Sequence, residues 1–191
     1  MRVGVLALQG AYAAHGRPLR DLGHQLVEVR TPADLDLVDG LVLPGGESSV
    51  HLALIERFGL ETPLLAFART GRPILGVCAG LILAARRVTS PVQRCLGLIE
   101  ISVARNAYGR QLDSFESRSD DGSLPLVFIR APRITQVGAG VEVLATALGE
   151  PVLVRQAHVT VATFHPELTP DLRVHRAVFG GGERAVVAAS P

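Results

Sequence analysis

The segment GVCAG, at residues 76–80, places a cysteine where many hydrolases carry their nucleophile. Apolar residues precede it and a short helical stretch follows, so it is predicted to turn from a strand into a helix. Hydrolases with a G-x-S-x-G turn carry Ser at its centre, and Cys78 takes that place here. The glycines avoid clashes in the tight turn, and the start of a helix favours the thiolate. A buried structural cysteine is the alternative for this segment alone.

The segment FHPEL, at residues 164–168, supplies a candidate base and its orienting acid. A nucleophilic cysteine needs a histidine, and that histidine needs an acid to hold it. Pro166 favours an extended backbone at His165, and side chains two residues apart in an extended segment point the same way. Glu167 is therefore predicted to fix the imidazole tautomer of His165. A surface histidine beside a turn proline is the alternative.

The other five histidines have no partner at an informative spacing in the sequence. A metal site formed by His158 and His165 has little support, because no ligand set of the usual kind surrounds them. We therefore expect no metal site. These histidines are predicted to be surface or packing residues: His15, His24, His51, His158 and His175.

The segment LPGGESS, at residues 43–49, is predicted to join a strand to a helix through a glycine turn. Gly45 and Gly46 would let backbone N–H groups point outward, where they can stabilise an oxyanion. Ser48 or Ser49 is predicted to cap the helix, and the charge of Glu47 suits its positive end. A phosphate-binding turn is an alternative, but it lacks the Lys and the spacing of a phosphate loop. A plain strand–helix turn is equally compatible with this segment alone.

Strands and helices must alternate through the first half to bring these segments together. Short apolar runs predict strands at 3–8, 25–29, 40–43 and 73–77. Helices are predicted between or after them at 11–22, from 47 onward, at 63–69 and at 79–87, with Gly23 ending the first. This alternation predicts an α/β fold with a right-handed, doubly wound, mostly parallel sheet.

The second half is richer in strands. Strands are predicted at 98–104, 126–129, 141–145, 151–155 and 159–164, with a polar loop at 113–123 and a closing helix at 170–179. No linker or internal repeat divides the chain, so residues 1–191 are predicted to form a single domain. About ten residues at the glycine-rich end are expected to fray.

The composition excludes several kinds of chemistry and partner. All 19 basic residues are Arg, so there is no Schiff-base lysine, phosphate-loop lysine or lysine general base. The 18 acidic residues nearly balance them, and the net charge of +1 predicts neither a nucleic-acid nor a membrane partner. Cys78 and Cys95 form no disulfide framework, and no apolar run reaches transmembrane length. We expect a soluble, cytoplasmic protein.

Seven segments together resemble the glutaminase subunits of pyridoxal 5′-phosphate synthases, a branch of the triad-type (class I) glutamine amidotransferases. The pair of GVCAG and FHPEL is shared by many glutamine amidotransferases, and the other segments single out this branch. The resemblance runs through nearly the whole chain, with small departures at Ala14, Ser49 and Val77. Its segments are LQGAYAAH (8–15), LPGGESS (43–49), GVCAG (76–80), RNAYGRQ (105–111), DSFE (113–116), FIRAP (128–132) and FHPEL (164–168).

The resemblance implies a fold, a reaction and a partner. The fold would be a single-domain, three-layer, flavodoxin-like sheet, and the reaction glutamine hydrolysis without a cofactor. Cys78 would be the nucleophile, His165 the base and acid, and Glu167 its orienter. Ammonia would pass to a synthase subunit that builds pyridoxal 5′-phosphate from a pentose phosphate and a triose phosphate. The resemblance implies that L-glutamine is bound by Gly46, Glu47, Ser48, Arg105, Ile129 and Arg130.

Three other functions are compatible with parts of the sequence. The chain could be the glutaminase of a different amidotransferase, although RNAYGRQ and FIRAP argue against this. It could be a non-catalytic binding protein with a cysteine turn, although such proteins generally lack the late H-P-E segment. A cysteine peptidase is the weakest alternative, because nothing in the sequence indicates a groove for an extended substrate.

Overall fold

A seven-stranded sheet forms the centre of the computed structural model, which describes residues 1–105 and 114–180. Its strands are β1 (Arg2–Leu6), β2 (Gln25–Val29), β3 (Gly40–Leu43), β4 (Ile74–Val77), β10 (Glu142–Ala147), β11 (Glu150–Gln156) and β12 (Val159–Ala162). Their order across the sheet is β10-β11-β12-β4-β3-β1-β2. The five strands from β12 to β2 are parallel, and β11 and β10 continue the sheet in antiparallel pairing.

Two smaller sheets flank the central one. Strands β5, β6 and β9 form a three-stranded sheet, and β7 pairs with β8 in an antiparallel ribbon. Their bounds are β5 (Ala85–Thr89), β6 (Ile99–Ala104), β7 (Ser114–Arg118), β8 (Pro125–Ile129) and β9 (Arg133–Val137). The helices are α1 (Gly16–Asp21), α2 (Pro32–Leu35), α3 (Ser48–Arg57), α4 (Glu61–Arg69), α5 (Ala79–Ala84) and α6 (Arg173–Phe179), with 3₁₀ turns at Tyr12–His15 and Pro166–Leu168.

Apolar side chains cover both faces of the central sheet, as alternation along its strands requires. In β3, Leu41 and Leu43 join the core beneath α3 and α4, while Val42 joins the core beneath α1 and α6. The second core also holds Phe164 and Phe179, both almost fully buried. Helices on both faces of a mostly parallel sheet confirm the predicted three-layer, doubly wound α/β fold.

The helix predicted at 79–87 is wrong over its last three residues. Helix α5 ends at Ala84, and Ala85 turns to an extended backbone with ψ 155° that begins β5. Pairing of β5 with β6 replaces the helical hydrogen bonds, and the β-branched residues Val88 and Thr89 suit that pairing. The helix predicted at 11–22 is instead a 3₁₀ turn followed by α1.

The polar loop predicted at 113–123 is wrong at 114–118, which form a strand, and is confirmed at 119–123. Strand β7 pairs with β8 there, and the Phe115 ring stacks on Phe128 with centroids 4.7 Å apart. Strand β9 was not predicted at all, and short α2 was missed. Strands β2 and β3 have their predicted bounds, and Gly23, with φ +76°, lies after α1 as predicted. Within residues 1–105 and 114–180, no helix is both long and apolar enough to span a membrane.

Candidate active site

The three segments singled out by the sequence meet at one edge of the central sheet. Strands β3, β4 and β12 are adjacent and parallel, so their carboxyl ends lie side by side. The turns that follow them carry LPGGESS, Cys78 and His165 respectively. A cavity of about 210 Å³ opens there. It is lined by Ala11, Gly46, Glu47, Ser48, Cys78, Ile82, Arg105, Ile129, Arg130 and His165.

The turn around Cys78 has the strained geometry of a nucleophile turn. Cys78 has φ +50° and ψ −101°, a conformation that non-glycine residues rarely adopt. Its backbone N–H donates to Ala162 O at 2.9 Å, which fastens the turn to the end of β12. A Cβ atom at Gly80 would lie 1.9 Å from Leu43 O, and one at Gly76 would lie 2.9 Å from Gly80 O. The predicted need for both glycines is therefore confirmed.

His165 and Glu167 form a buried hydrogen-bonded pair. His165 Nδ1 lies 2.7 Å from Glu167 Oε1, so Nδ1–H donates to the carboxylate and Nε2 is left for the cavity. Glu167 lies in a 3₁₀ turn that begins at Pro166, and His165, with φ −104° and ψ 86°, comes just before it, so the two do not share the extended segment predicted. The same two side chains meet nevertheless. The His165 backbone N–H donates to Val127 O at 2.8 Å, which ties this turn to β8.

The surroundings of His165 and Glu167 favour the charged form of both side chains. Burial lowers the pKa of His165, but hydrogen bonding to Cys78 and Glu167, and the charges of both, outweigh it and raise the pKa to about 10. Burial raises the pKa of Glu167, but its hydrogen bond to His165 and the nearby His15 reverse this and lower it. Cys78 is buried and its thiol lies 3.8 Å from Ile129 O. An imidazolium at His165 can therefore stabilise a thiolate at Cys78.

The cavity lining also contains an ion pair between Glu47 and Arg105. Arg105 Nη2 donates to Glu47 Oε1 at 2.8 Å, and Arg105 Nη1 donates to the side-chain oxygen of Gln93. Ser48 Oγ donates to that same Gln93 oxygen at 3.0 Å. Gln93 thus connects two of the predicted substrate-binding residues without lining the cavity itself. The sequence offered no signal for it, since Gln93 lies in an irregular segment after β5.

The helix cap at LPGGESS differs from the prediction. Glu47, rather than Ser48 or Ser49, caps α3: its Oε1 accepts from the Ser49 backbone N–H at 3.5 Å and from Ser49 Oγ at 3.1 Å. Glu47 therefore both caps the helix and pairs with Arg105. The serine prediction failed because a carboxylate can reach the same N–H groups.

Ile129 and Arg130 border the cavity at the end of β8. Arg130 has φ +43°, a left-handed backbone that turns the chain just after the strand. Eight of the nine predicted site residues therefore line the cavity, and the ninth, Glu167, lies behind His165. Residues 106–111 of RNAYGRQ and Asp113 of DSFE fall outside the described residues.

Two of the remaining histidines have partners that the sequence did not indicate. His15 and His175 are fully buried, and His15 lies 3.8 Å from Glu167. In the described ranges, no group of three or more His, Cys, Asp or Glu side chains could hold a metal ion.

A model of the SNO glutamine amidotransferase family matches residues 5–180. The chain belongs to this family. It is 50% identical to the pyridoxal 5′-phosphate synthase subunit PdxT of Solibacter usitatus, over 91% of this chain and 95% of the relative. It is 48% identical to the PdxT subunit of Deinococcus radiodurans, over 97% of this chain and all of the relative.

Solved structures agree with this family assignment. A crystal structure of a glutamine amidotransferase has a TM-score of 0.87 and 43% identity, covering 93% of this chain and 97% of that one. The structure of PurLQS from Thermotoga maritima has a TM-score of 0.60 and 18% identity, covering 97% of this chain and 94% of that one. The second likeness bears on the fold alone. The fold is thus the flavodoxin-like fold of class I glutamine amidotransferases, as the sequence predicted.

Proposed function

We propose that this chain is the glutamine-hydrolysing subunit of a pyridoxal 5′-phosphate synthase. The observation that carries the proposal is the Cys78–His165–Glu167 arrangement at a small cavity, in a chain about half identical to subunits of that name. Cys78 is the nucleophile, His165 the acid and base, and Glu167 the group that orients His165. The reaction converts L-glutamine to L-glutamate and ammonia.

The reaction begins with a thiolate–imidazolium pair. The raised pKa of His165 keeps its imidazole protonated at neutral pH, beside the Cys78 sulfur. The sulfur attacks the side-chain amide carbon of glutamine and forms a tetrahedral oxyanion. The Gly46 N–H, in a turn that lines the same cavity, is the proposed donor to that oxyanion. His165 protonates the departing nitrogen, and the C–N bond breaks to release ammonia.

The second half of the reaction returns the enzyme to its starting state. His165, now neutral, takes a proton from water, and the resulting hydroxide attacks the γ-glutamyl thioester on Cys78. The thioester C–S bond breaks, glutamate leaves, and the Cys78 thiolate and His165 imidazolium are restored. Glu167 stays ionised throughout and stabilises the imidazolium each time it forms.

The polar side of the cavity suits the amino-acid end of glutamine. Glutamine carries an α-ammonium and an α-carboxylate, and Glu47 and Arg105 offer one charge of each sign for them. Arg130 adds a second cation at the rim, and Ser48 and Ile129 complete the lining. Glu47 and Arg105 pair with each other at 2.8 Å, so the substrate would exchange that ion pair for two of its own.

The proposed partner is a synthase subunit that uses the ammonia. Free ammonia would be protonated and lost in solvent, so direct transfer to a bound partner is expected. Assembly of sugar phosphates with ammonia involves imines, which enzymes commonly form on lysine, and this chain has none. It is therefore suited only to the ammonia-supplying half. A cytoplasmic location is also proposed, since Cys78 and Cys95 are both free thiols.

Transfer of labelled nitrogen tests the proposed function. Glutamine labelled with ¹⁵N at the side-chain amide is supplied with the synthase subunit, a pentose phosphate and a triose phosphate. The label is expected in pyridoxal 5′-phosphate with the wild-type chain and with Cys95→Ala, and to be absent with Cys78→Ala. Glutamine hydrolysis is expected to rise when the synthase subunit is added. Strong hydrolysis that the synthase subunit leaves unchanged would contradict the proposal.

A further inference from the structure

Two buried histidines lie behind the carboxylate of the triad, where the proposed reaction does not use them. His15 Nε2 is 3.8 Å from Glu167 Oε1, and His15 Nδ1 is 3.2 Å from His175 Nε2. Both histidine side chains are fully buried. Both histidines feel the charge of Glu167, whose same oxygen, Oε1, accepts a hydrogen bond from His165 Nδ1 at 2.7 Å.

The fold brings this group together from distant parts of the chain. His15 ends the 3₁₀ turn Tyr12–His15, Glu167 lies in the 3₁₀ turn Pro166–Leu168, and His175 lies in α6. The rings of His15 and His175 have centroids 5.5 Å apart and planes tilted by 58°. On α1, the charged residues Arg17 and Asp21 pair with each other at the surface. Among the described residues, the titratable groups that face His15 are thus Glu167, His165 and His175.

Burial keeps both histidines neutral, so each ring carries a single N–H. Burial lowers the pKa of His15, although the Glu167 charge opposes this, and it lowers the pKa of His175 to about 3. The pKa of Glu167 is lowered as well, so its carboxylate is ionised at neutral pH. The position of the proton on the His15 ring decides whether an N–H or a lone pair faces this carboxylate.

Only one choice of tautomers avoids placing a lone pair against the carboxylate. If His15 carries its proton on Nε2, an N–H faces Glu167, and Nδ1 accepts from His175 Nε2–H. In the opposite choice, His15 carries its proton on Nδ1 and donates to His175 Nε2. The unprotonated Nε2 of His15 then faces the Glu167 carboxylate, and His175 carries its proton on Nδ1. Hydrogen bonding does not decide between them, because His15 Nε2 and His175 Nδ1 are both buried without a hydrogen-bond partner among the described residues, so each choice leaves one N–H unsatisfied. The charge of Glu167 therefore selects the first choice, in which His175 Nε2–H donates to His15 Nδ1 and His15 Nε2–H faces the carboxylate.

We propose that His15 is a positioning residue for the triad, which keeps Glu167 ionised and oriented toward His165, and that His175 fixes the tautomer of His15. The inference rests on the proposed function, because it assigns His15 and His175 a part in the same site. An N–H dipole 3.8 Å from the carboxylate acts through the partial positive charge on its hydrogen rather than as a short hydrogen bond. Loss of that dipole lowers the stabilisation of the His165 imidazolium by Glu167. The Cys78 thiolate, which the imidazolium stabilises, then forms less readily.

Alkylation of Cys78 by iodoacetamide, measured against pH, tests this without substrate or partner. Cys95→Ala serves as the background, so that only Cys78 reacts. His15→Leu removes the N–H, whereas His15→Gln keeps an amide N–H near the position of Nε2. We expect His15→Leu to slow alkylation about tenfold near pH 6 and to move the acid midpoint upward by about one unit. His15→Gln is expected to recover most of the wild-type rate, and His175→Leu to have a smaller effect.

A double-mutant cycle separates this role from simple packing. With Glu167→Gln in place, His15→Leu is expected to cause no further change in alkylation, because the charge it acts on is gone. In the complex with the synthase subunit, His15→Leu is expected to lower kcat for glutamine about tenfold and to leave KM unchanged. Thermal unfolding of each variant checks folding, and His15→Gln and His175→Leu carry the test if His15→Leu does not fold.

Three results would overturn the inference. They are a wild-type alkylation profile in folded His15→Leu, an effect of His15→Leu that persists in full with Glu167→Gln, and a His15→Gln variant with no recovery. Failure of the proposed function has a different signature. Alkylation would still respond to His15 as described, while labelled nitrogen would not reach pyridoxal 5′-phosphate.

Discussion

A single methyl group at Gly45 should disable the site while leaving the fold intact. A Cβ atom there would lie 2.5 Å from His165 Cε1 and 3.2 Å from Nδ1. Carbon atoms in contact normally lie about 3.5 Å apart or more, so the imidazole must move by about 1 Å. His165 cannot move freely, because Glu167 holds Nδ1 at 2.7 Å and the backbone N–H is bonded to Val127. The strain is expected to cost about 1–3 kcal/mol of stability.

The loss of activity should be larger than the loss of stability suggests. A displacement of about 1 Å in a catalytic group can lower the rate roughly 100-fold, so Gly45→Ala is expected to lower kcat for glutamine by about that factor. Gly59→Ala is the matched control. Its Cβ would meet nothing within 4 Å, but its φ of +65° disfavours a side chain, so it should cost about 1–2 kcal/mol without affecting kcat. Thermal unfolding and steady-state kinetics in the complex measure both. A folded Gly45→Ala protein with wild-type kcat would refute this account of how His165 is held.

Two further substitutions test other parts of the site. Glu167→Gln should lower kcat roughly 10²- to 10⁴-fold. It should also move the titration of His165, followed by NMR, from a pKa of about 10 down toward 6.5, because the charge that supports the imidazolium is lost; an unmoved titration would contradict this. Gln93→Leu should raise KM for glutamine about five- to tenfold with little change in kcat, because Arg105 and Ser48 lose a shared acceptor. An unchanged KM would contradict a part for Gln93 in glutamine binding.

The sequence predicts the inner strands of the central sheet well because they are short, buried apolar runs that end at turn residues, and β3 was located to the residue for this reason. Strand β2 lies at the edge of the sheet and is partly exposed, and the glycine at 23 before it helped to locate it to the residue. The flanking strands were harder. In β7, Ser114, Glu116 and Arg118 alternate on an exposed side, and only Phe115 marks a packed face. In β5, the apolar Ala85 reads as a continuation of α5, and pairing with β6 overrides that preference.

The same contrast holds within the site. Cys78, His165 and Glu167 were predicted because each lies in a short segment whose spacing has a chemical meaning. Gln93 and His15 carry no such signal. Gln93 reaches Arg105 and Ser48 from an irregular segment, and His15 meets His175 across 160 positions of sequence. Contacts of this kind depend on tertiary packing, and no local pattern encodes them.

Detection of a thioester on Cys78 tests most directly whether Cys78 is the nucleophile that hydrolyses glutamine. The complex with the synthase subunit is mixed with glutamine, quenched in acid within the first turnovers, digested and analysed by mass spectrometry. A γ-glutamyl adduct is expected on the peptide that contains Cys78, with none on the peptide that contains Cys95 and none after hydroxylamine treatment. Ammonia release by a Cys78→Ala protein, or a glutamyl adduct on a different residue, would contradict it.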